Sequence, residues 1–307
     1  MAQDMAQTRD LTQAHILVGA GAQPAVPAIR RIGPADLRDA LRRGWDDFTA
    51  MPTHAVFLCA IYPVVGIALA GLTLGFAIIP LLFPLAAGFA LVGPLAAIGL
   101  YELSRRREAG VDTWGSDAID VLRSPSIGAI VALGVLLLII FTVWIAAARA
   151  LYIDNFGYAA PASAGQFIHD LFTTRAGWNL IVWGNGIGFL FAVVTLAISV
   201  VSFPLLLDRD VGASVALLTS VRVVAANPLT MALWGLIVAA LLVIGSLPFF
   251  VGLAVAMPVL GHATWHLYRK AVDPDPCPRA EYRPQPKEPR YAADFPAVLW
   301  PWFREDR

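Results

Sequence analysis

The stretch that decides the fold begins LRRGWDDF at residues 41–48 and ends YELSRRR at residues 101–107. Between His54 and Leu103, only Glu102 carries a formal charge. A helix needs about 20 apolar residues to cross the hydrocarbon of a bilayer, so this interval has room for two spans joined by a short turn. The stretch therefore predicts an amphipathic helix, a hydrophobic helical hairpin and a basic stop.

The composition of the whole chain is typical of a membrane protein. Of its 307 residues, 58% are hydrophobic and 14% are charged, whereas a soluble domain carries about 25% charged residues. The formal net charge is zero, so the charge balance gives no indication of nucleic-acid binding. The two cysteines, Cys59 in an apolar run and Cys277 in a proline-rich region, are poorly placed to pair. We expect neither a structural disulfide nor a thiolate metal site.

The predicted fold is all-α, a polytopic membrane domain over residues 34–270 with six transmembrane helices. These pair into three helical hairpins, each preceded by an amphipathic interfacial helix. A disordered cytoplasmic tail is predicted over residues 1–33 and a proline-rich cytoplasmic tail over residues 271–307. The spans are predicted at about 55–79, 80–103, 126–148, 178–207, 228–244 and 248–268.

The first surface helix has apolar residues at helical spacing and charged residues on its other faces. The apolar positions are Leu37, Leu41, Trp45 and Phe48. Tryptophan opposite arginine favours the headgroup layer of a bilayer over the alternative, a helix packed on a soluble domain. The second surface helix is predicted to place Trp114, Ala118, Ile119 and Leu122 together on its apolar face. Ser124-Pro125 and Asn227-Pro228 are typical helix starts.

An internal repeat is indicated by two alignments. When Pro52 is aligned with Pro228, each proline closes a predicted surface helix and opens a span. When Pro94 is aligned with Pro258, the basic residues at the ends of the two spans also align, Arg105-Arg106 with Arg269-Lys270. Because two spans return the chain to its starting side, the repeats are expected to be parallel.

The orientation follows from the distribution of lysine and arginine. Of 22 such residues, only Arg149 and Arg175 lie on the side that holds the polar loop 149–177. The positive-inside rule then predicts that both termini are cytoplasmic. We expect a multi-pass membrane protein with both termini on the cytoplasmic side.

Histidines are the first candidate ligands. His262 and His266 are four residues apart and share one face of the sixth predicted span, and His54 lies near the start of the first. Such a set is a candidate for metal, haem or copper ligation. The alternative, which we favour, is that they are interfacial or hydrogen-bonded structural histidines, with no bound cofactor.

Polar side chains inside the predicted spans form a second group of candidates. Glu102 is the sole acidic residue of the second span, and ionisable residues inside a membrane are candidates for function. The repeat aligns Glu102 with His266, which suggests a polar cluster near the cytoplasmic face. Asn179 and Asn185 are expected to form hydrogen bonds between helices.

Three segments resemble a known family. They are Arg42–Phe48, Gly93–Arg106 and Ser202–Arg209. They look like the predicted bacterial integral-membrane proteins of domain-of-unknown-function family 2189, some members of which are labelled as cytochrome c oxidase subunits. This chain lacks the histidine set that such a subunit would need. The resemblance implies a membrane protein and no particular activity.

The sequence contains no catalytic motif. Two hypotheses follow. The first is a non-enzymatic inner-membrane protein, either an assembly or interaction factor for other membrane proteins or a carrier of small solutes or lipids. The second is a haem- or copper-binding respiratory accessory protein that uses His262 and His266.

Overall fold

The computed structural model describes residues 26–51, 79–111, 113, 115–247 and 251–274. Outside the described residues lie residues 55–78 of the first predicted span, His54, Trp114 and most of both predicted tails.

Helices dominate the described part of the chain, as predicted for an all-α protein. No strand occurs in this part, where a single isolated bridge joins Ile29 to Val272. A 3-10 helix spans Gly115–Arg123. The α-helices are α1 (Pro34–Ala50), α2 (Ile79–Ala96), α3 (Ile98–Glu108), α4 (Ile127–Phe156), α5 (Ala164–Thr173), α6 (Arg175–Ser199), α7 (Ser202–Asp208), α8 (Gly212–Ala226), α9 (Pro228–Ser246) and α10 (Leu253–Ala271).

Among the described residues, three helical segments are long and apolar enough to cross a membrane. They are α4, the combined segment Arg175–Asp208 formed by α6 and α7, and α9. Their outward side chains are large and apolar, for example Val135, Phe189 and Leu236, which are 49%, 68% and 65% exposed. The predicted membrane class agrees with these helices, whereas the six-span hairpin arrangement stays a prediction.

Two predicted spans are interrupted, and a proline explains the break in the fourth. The second span is divided at Ala97, between α2 and α3, three residues after Pro94. The fourth is divided at residues 200–201, and Pro204 follows in the first turn of α7. A proline has no N–H to donate to the carbonyl four residues earlier, so the helix is weakened in the preceding turn.

Tight packing between α2, α4 and α6 depends on glycines. A Cβ atom at Gly88 of α2 would lie 2.6 Å from Phe141 and 2.9 Å from Trp144 of α4. A Cβ atom at Gly188 of α6 would lie 3.0 Å from the other edge of the Trp144 ring. Trp144, only 3% exposed, also donates its indole N–H to the carbonyl of Pro84. Small residues thus allow the bulky Trp144 to fill the space between three helices.

α1 packs along α10. Its first turns lie beside Lys270, and Gly44 further along lies against Ala263, so the two helices are antiparallel. The predicted apolar face is divided: Leu37 and Phe48 are buried in this contact, whereas Trp45 is 51% exposed. α1 is therefore an element of the bundle as well as an amphipathic helix.

The 3-10 helix corrects the predicted face of the second surface helix. In a 3-10 helix, residues three apart lie on the same side. Ala118, Val121 and Ser124 are accordingly buried, while Ile119 and Leu122 are 62% and 68% exposed. The predicted grouping of Ala118 with Ile119 and Leu122 assumed the α-helical period and was wrong for that reason.

The best-packed part of the core lies where α1, α3, α7 and α10 meet. Every residue of α7 is buried. Phe203, Trp265 and Tyr268 are among the largest fully buried side chains. This end of the bundle also holds the buried charged residues of the described part, so it is where polar chemistry must be sought.

Candidate functional site

The two histidines of α10 face into the packed end of the bundle. His262 is 0% exposed and His266 is 8% exposed. They share one face because four residues make about one helical turn. That face is covered by α1 and α3.

Asp47 of α1 lies at the centre of the contacts made by these histidines. Its Oδ2 atom is 2.8 Å from Nε2 of His266 and accepts a hydrogen bond from the Ser104 hydroxyl at 2.6 Å. Its Oδ1 atom accepts from Arg107 at 2.9 Å. Asp47 is 6% exposed, so this carboxylate holds three helices together from inside their interface.

Ser104 connects Asp47 to His262. Its Oγ atom is 2.7 Å from Nδ1 of His262. An ionised carboxylate only accepts hydrogen bonds, so the serine proton points to Asp47 and Ser104 accepts from an Nδ1–H of His262. In a neutral imidazole the Nε2 atom of His262 is then an unprotonated, buried nitrogen, and it has no hydrogen-bond partner among the described residues. We call Asp47, Ser104, Arg107, His262 and His266 the Asp47 cluster.

The cluster favours the ionised form of Asp47. Burial by itself raises the pKa of this carboxyl group, but hydrogen bonds from His266 and Ser104 outweigh it, and the pKa lies below its ordinary value. Asp47 therefore remains a carboxylate at neutral pH.

The Asp47 cluster differs from a catalytic triad. In a triad, the carboxylate orients the histidine that activates the serine. Here the carboxylate binds Ser104 directly, and Ser104 is 0% exposed. A substrate has no access to this hydroxyl, so the arrangement serves to join helices.

Glu102 belongs to a separate network. This carboxylate is 0% exposed and accepts from Arg105 at 2.8 Å and from Arg106 at 2.7 Å. Arg106 continues the network to Asp117 and Asp120 of the 3-10 helix, at 3.1 and 2.7 Å. The predicted cluster of Glu102 with His266 does not form, because His266 binds Asp47 and Glu102 binds arginines.

The two asparagines of α6 are exposed. Asn185 donates from Nδ2 to the carbonyl of Ile181, one turn earlier on its own helix, at 2.7 Å. Within the described part of the chain, Asn185 therefore does not make the expected hydrogen bond to another helix.

The described residues contain no group of three histidine, cysteine, aspartate or glutamate residues that could hold a metal ion. Of the three predicted histidine ligands, His54 lies outside the described residues. His266 uses Nε2 to contact Asp47, whereas Nε2 of His262 has no partner among the described residues. One free imidazole nitrogen is a single ligand, fewer than a copper or bis-histidine haem site requires.

Sequence reasoning missed Asp47, Ser104 and Arg107. Asp47 looked like part of the solvated face of an interfacial helix. A signal was nevertheless present, because Ala40 and Gly44 share its helical face, and small residues at that spacing permit close helix packing. A carboxylate continuing such a face is a candidate for burial.

The comparison with protein families adds one match. Residues 81–208 match the family described as predicted integral membrane protein (DUF2189). Over this segment the chain is similar to that family. The segment includes Glu102, Ser104 and Arg107, whereas Asp47, His262 and His266 lie outside it. No curated protein and no solved structure matches the chain significantly.

Proposed function

We propose that the protein is a non-enzymatic, six-span protein of the bacterial inner membrane with both termini in the cytoplasm. In this proposal it acts as an interaction factor that docks a transmembrane helix of another membrane protein against α6. The observation that carries the docking role is the outward position of Asn185.

Asn185 is a polar residue within an apolar, outward-facing stripe. It is exposed, and its neighbours on the same face, Val182 and Phe189, are 61% and 68% exposed. It lies about 10 Å along the helix axis from Trp178, at the start of the predicted span. An outward side chain at this depth faces hydrocarbon.

The amide group of Asn185 retains unused hydrogen-bonding capacity. One N–H binds the carbonyl of Ile181, which leaves the second N–H and the amide oxygen without a partner among the described residues. Polar groups without partners are costly in hydrocarbon. A partner helix with a polar side chain could satisfy this amide, and such bonds contribute about 0.6–2 kcal/mol.

The position of the buried charges favours docking over a carrier role. A carrier of small solutes or lipids would need polar groups along its path through the bundle. The buried charged residues of the described part instead gather at the end formed by α1, α3, the 3-10 helix, α7 and α10. They are Asp47, Glu102, Asp117, Asp208 and Arg209.

Photo-crosslinking in intact membranes tests the docking role. A photoreactive amino acid is placed at Val182, beside Asn185, or at Leu236, which is 65% exposed on α9. We expect a crosslinked protein of defined mass from residue 182 and none from residue 236. In the Asn185→Leu background the product from residue 182 should be lost, while Asn179→Leu, nearer the predicted helix entry, should retain it.

Equal products from residues 182 and 236, or a product that persists with Asn185→Leu, would contradict the docking role. A product of twice the chain mass would identify the partner helix as that of a second copy.

The haem- or copper-binding accessory protein is retained as the second candidate because Nε2 of His262 has no partner within the part of the chain that the structure describes. It predicts an absorption band of the purified full-length chain that disappears in a His262→Ala, His266→Ala double variant. A featureless visible spectrum together with no bound copper would exclude it.

A further inference from the structure

A cleft of about 210 Å³ opens beside His266, at the charged end of the bundle. Four basic side chains line it: Arg30 before α1, Arg43 on α1, and Arg269 and Lys270 at the end of α10. Among the described residues, Glu108 of α3 is the one acidic residue that lines it. Side chains from three helices and a preceding segment thus converge on one small volume.

Carboxylates beside the cleft orient these basic groups without using all their donors. Arg30 binds Asp273 through Nε, and Arg43 binds Asp39 through Nε at 2.9 Å. Within the described part of the chain, the terminal nitrogens of both guanidinium groups have no hydrogen-bond partner. Two parallel N–H groups of a guanidinium match two oxygens of a phosphate.

Lys270 adds a point charge to the same cleft. Its Nζ atom is 2.8 Å from Asp39 and 3.6 Å from Asp36. An ammonium group has three N–H donors, so contact with Asp39 leaves donors for a second anion. Asp39 itself has its pKa lowered, first by its hydrogen bond with Lys270, so it remains an anion beside this ammonium.

The existing ion pairs do not block an incoming anion. The side chains of Arg30 and Asp273 are 50% and 42% exposed, and those of Arg43 and Asp39 are 59% and 36% exposed. Pairs this exposed contribute about 0–1 kcal/mol, because water screens them and ordering the side chains costs entropy. A phosphate that binds several of these donors at once can share them with the carboxylates.

We propose that this cleft binds the phosphate group of a small phosphate ester, held by Arg30, Arg43 and Lys270. Arg269 is fixed by Glu108 at 3.1 Å and by Asp208 at 3.4 Å, and it forms the inner wall of the cleft. The phosphate belongs either to an anionic phospholipid headgroup or to a water-soluble compound. Basic pockets beside membrane helices on the cytoplasmic side are suited to such headgroups.

Two probes distinguish these sources in the purified full-length chain. The first is inorganic phosphate, followed by the shift of the unfolding temperature in neutral detergent at constant ionic strength. The second is lipid retained by the detergent-solubilised protein after incubation with phosphatidylglycerol or phosphatidylcholine vesicles, counted by native mass spectrometry. Because salt weakens charge-assisted contacts, ionic strength must be equal in all samples.

The variants are chosen from neighbouring residues of one helix. Arg43→Gln removes a guanidinium group that lines the cleft. We expect it to weaken the binding of whichever probe the wild-type chain binds, inorganic phosphate or phosphatidylglycerol, about tenfold. Arg42→Gln is the matched control, since the Arg42 side chain is 80% exposed and lies 4.0 Å from Asp46. Arg30→Gln, outside α1, replaces Arg43→Gln if that variant does not fold.

Saturable binding of inorganic phosphate that falls in Arg43→Gln and persists in Arg42→Gln supports a soluble ligand. Preferential retention of phosphatidylglycerol over phosphatidylcholine supports a lipid headgroup if it likewise falls in Arg43→Gln and persists in Arg42→Gln. Absence of binding by both probes overturns the proposal. So does equal weakening by Arg42→Gln and Arg43→Gln, because it would indicate general attraction to a basic surface.

Discussion

At the scale of single residues, Asp47 joins three helices through one side chain. It binds His266 of α10, and Ser104 and Arg107 of α3, from its position on α1. If the carboxylate is removed, His266 and Ser104 lose this acceptor, while Arg107 retains its hydrogen bond to the backbone carbonyl of Asp46. Unpaired polar groups in a buried interface are costly, so Asp47 is expected to matter more for stability than any exposed ion pair.

Asp47→Asn should destabilise the protein by about 2 kcal/mol at neutral pH, because an amide nitrogen would replace an oxygen that accepts a hydrogen bond. The folded-state pKa of Asp47 is below its unfolded value. Its stabilising effect is therefore complete above the unfolded pKa and is lost as pH falls through the folded pKa. Thermal unfolding in detergent should show a gap between wild type and variant that narrows from pH 7 to pH 3.

Asp46→Asn is the control for this prediction. The Asp46 side chain is 56% exposed and lies 4.0 Å from Arg42, so its loss should change stability by less than about 0.5 kcal/mol. Equal effects of Asp46→Asn and Asp47→Asn, or a gap that does not depend on pH, would contradict the central role of Asp47.

The sequence predicted part of this site. Spacing along one helix placed His262 and His266 on a common face, and the structure has both on the face that packs against α1 and α3. Their partners could not be predicted, because Asp47 and His266 are far apart in sequence and meet only through tertiary packing. Glu102 was expected to meet His266 but binds arginines three and four residues along its own helix.

At the scale of elements, the contact between α1 and α10 depends on close backbone approach. A Cβ atom at Gly44 would lie 2.6 Å from the backbone nitrogen of Ala263 and 2.7 Å from its Cβ atom. Backbone atoms cannot move aside as a flexible side chain can. Gly44→Ala must therefore push α1 away from α10 and loosen the Asp47 cluster beside it.

We expect Gly44→Ala to destabilise this contact by about 1–3 kcal/mol, the usual cost of overpacking. Hydrogen exchange should become faster over residues 34–50 and remain unchanged over residues 228–246 of α9. Gly186→Ala is the matched control, since no atom lies within 4 Å of its Cβ position. If both variants leave exchange in α1 unchanged, the close contact does not hold α1 in place.

The helix boundaries show which local sequence signals were sufficient to predict where a helix starts. Asn227-Pro228 predicted the start of α9, and the helix begins at Pro228. Ser124-Pro125 predicted a start that instead comes at Ile127, because the 3-10 helix and a turn occupy the preceding residues. The 3-10 period itself could not be predicted, since apolar residues at 118, 119 and 122 fit an α-helix equally well.

At the scale of the whole molecule, the ion pairs concentrate at one end of the bundle. Glu102, Asp47 and Asp208 each bind basic residues there, and Arg269 joins α10 to α3 and α7. At the other end, α5 lies in the loop 149–177, in which the sequence has two basic residues, Arg149 and Arg175. If the bundle crosses a bilayer, this asymmetry places the ion-paired end in the cytoplasm.

Cysteine labelling in intact cells tests this orientation. Ala162 and Ala109 are exposed positions at opposite ends of the described bundle. In a chain with Cys59 and Cys277 replaced by serine, Ala162→Cys should react with a membrane-impermeant reagent added outside the inner membrane. Ala109→Cys should react only after the membrane is opened. Ser163 is avoided because its hydroxyl caps α5 by accepting from Gln166.

The opposite labelling pattern would place the ion-paired end outside the cytoplasm. The cleft lined by Arg30, Arg43 and Lys270 would then face a leaflet without the cytoplasmic excess of anionic lipid. A phosphate ester would in that case have to come from the periplasm. The labelling experiment therefore also decides on which side of the membrane the ligand of the Arg30–Arg43–Lys270 cleft must be sought. Reaction of both cysteines before the membrane is opened would instead show that the two ends lie on one side, and the number of spans between them would have to be even.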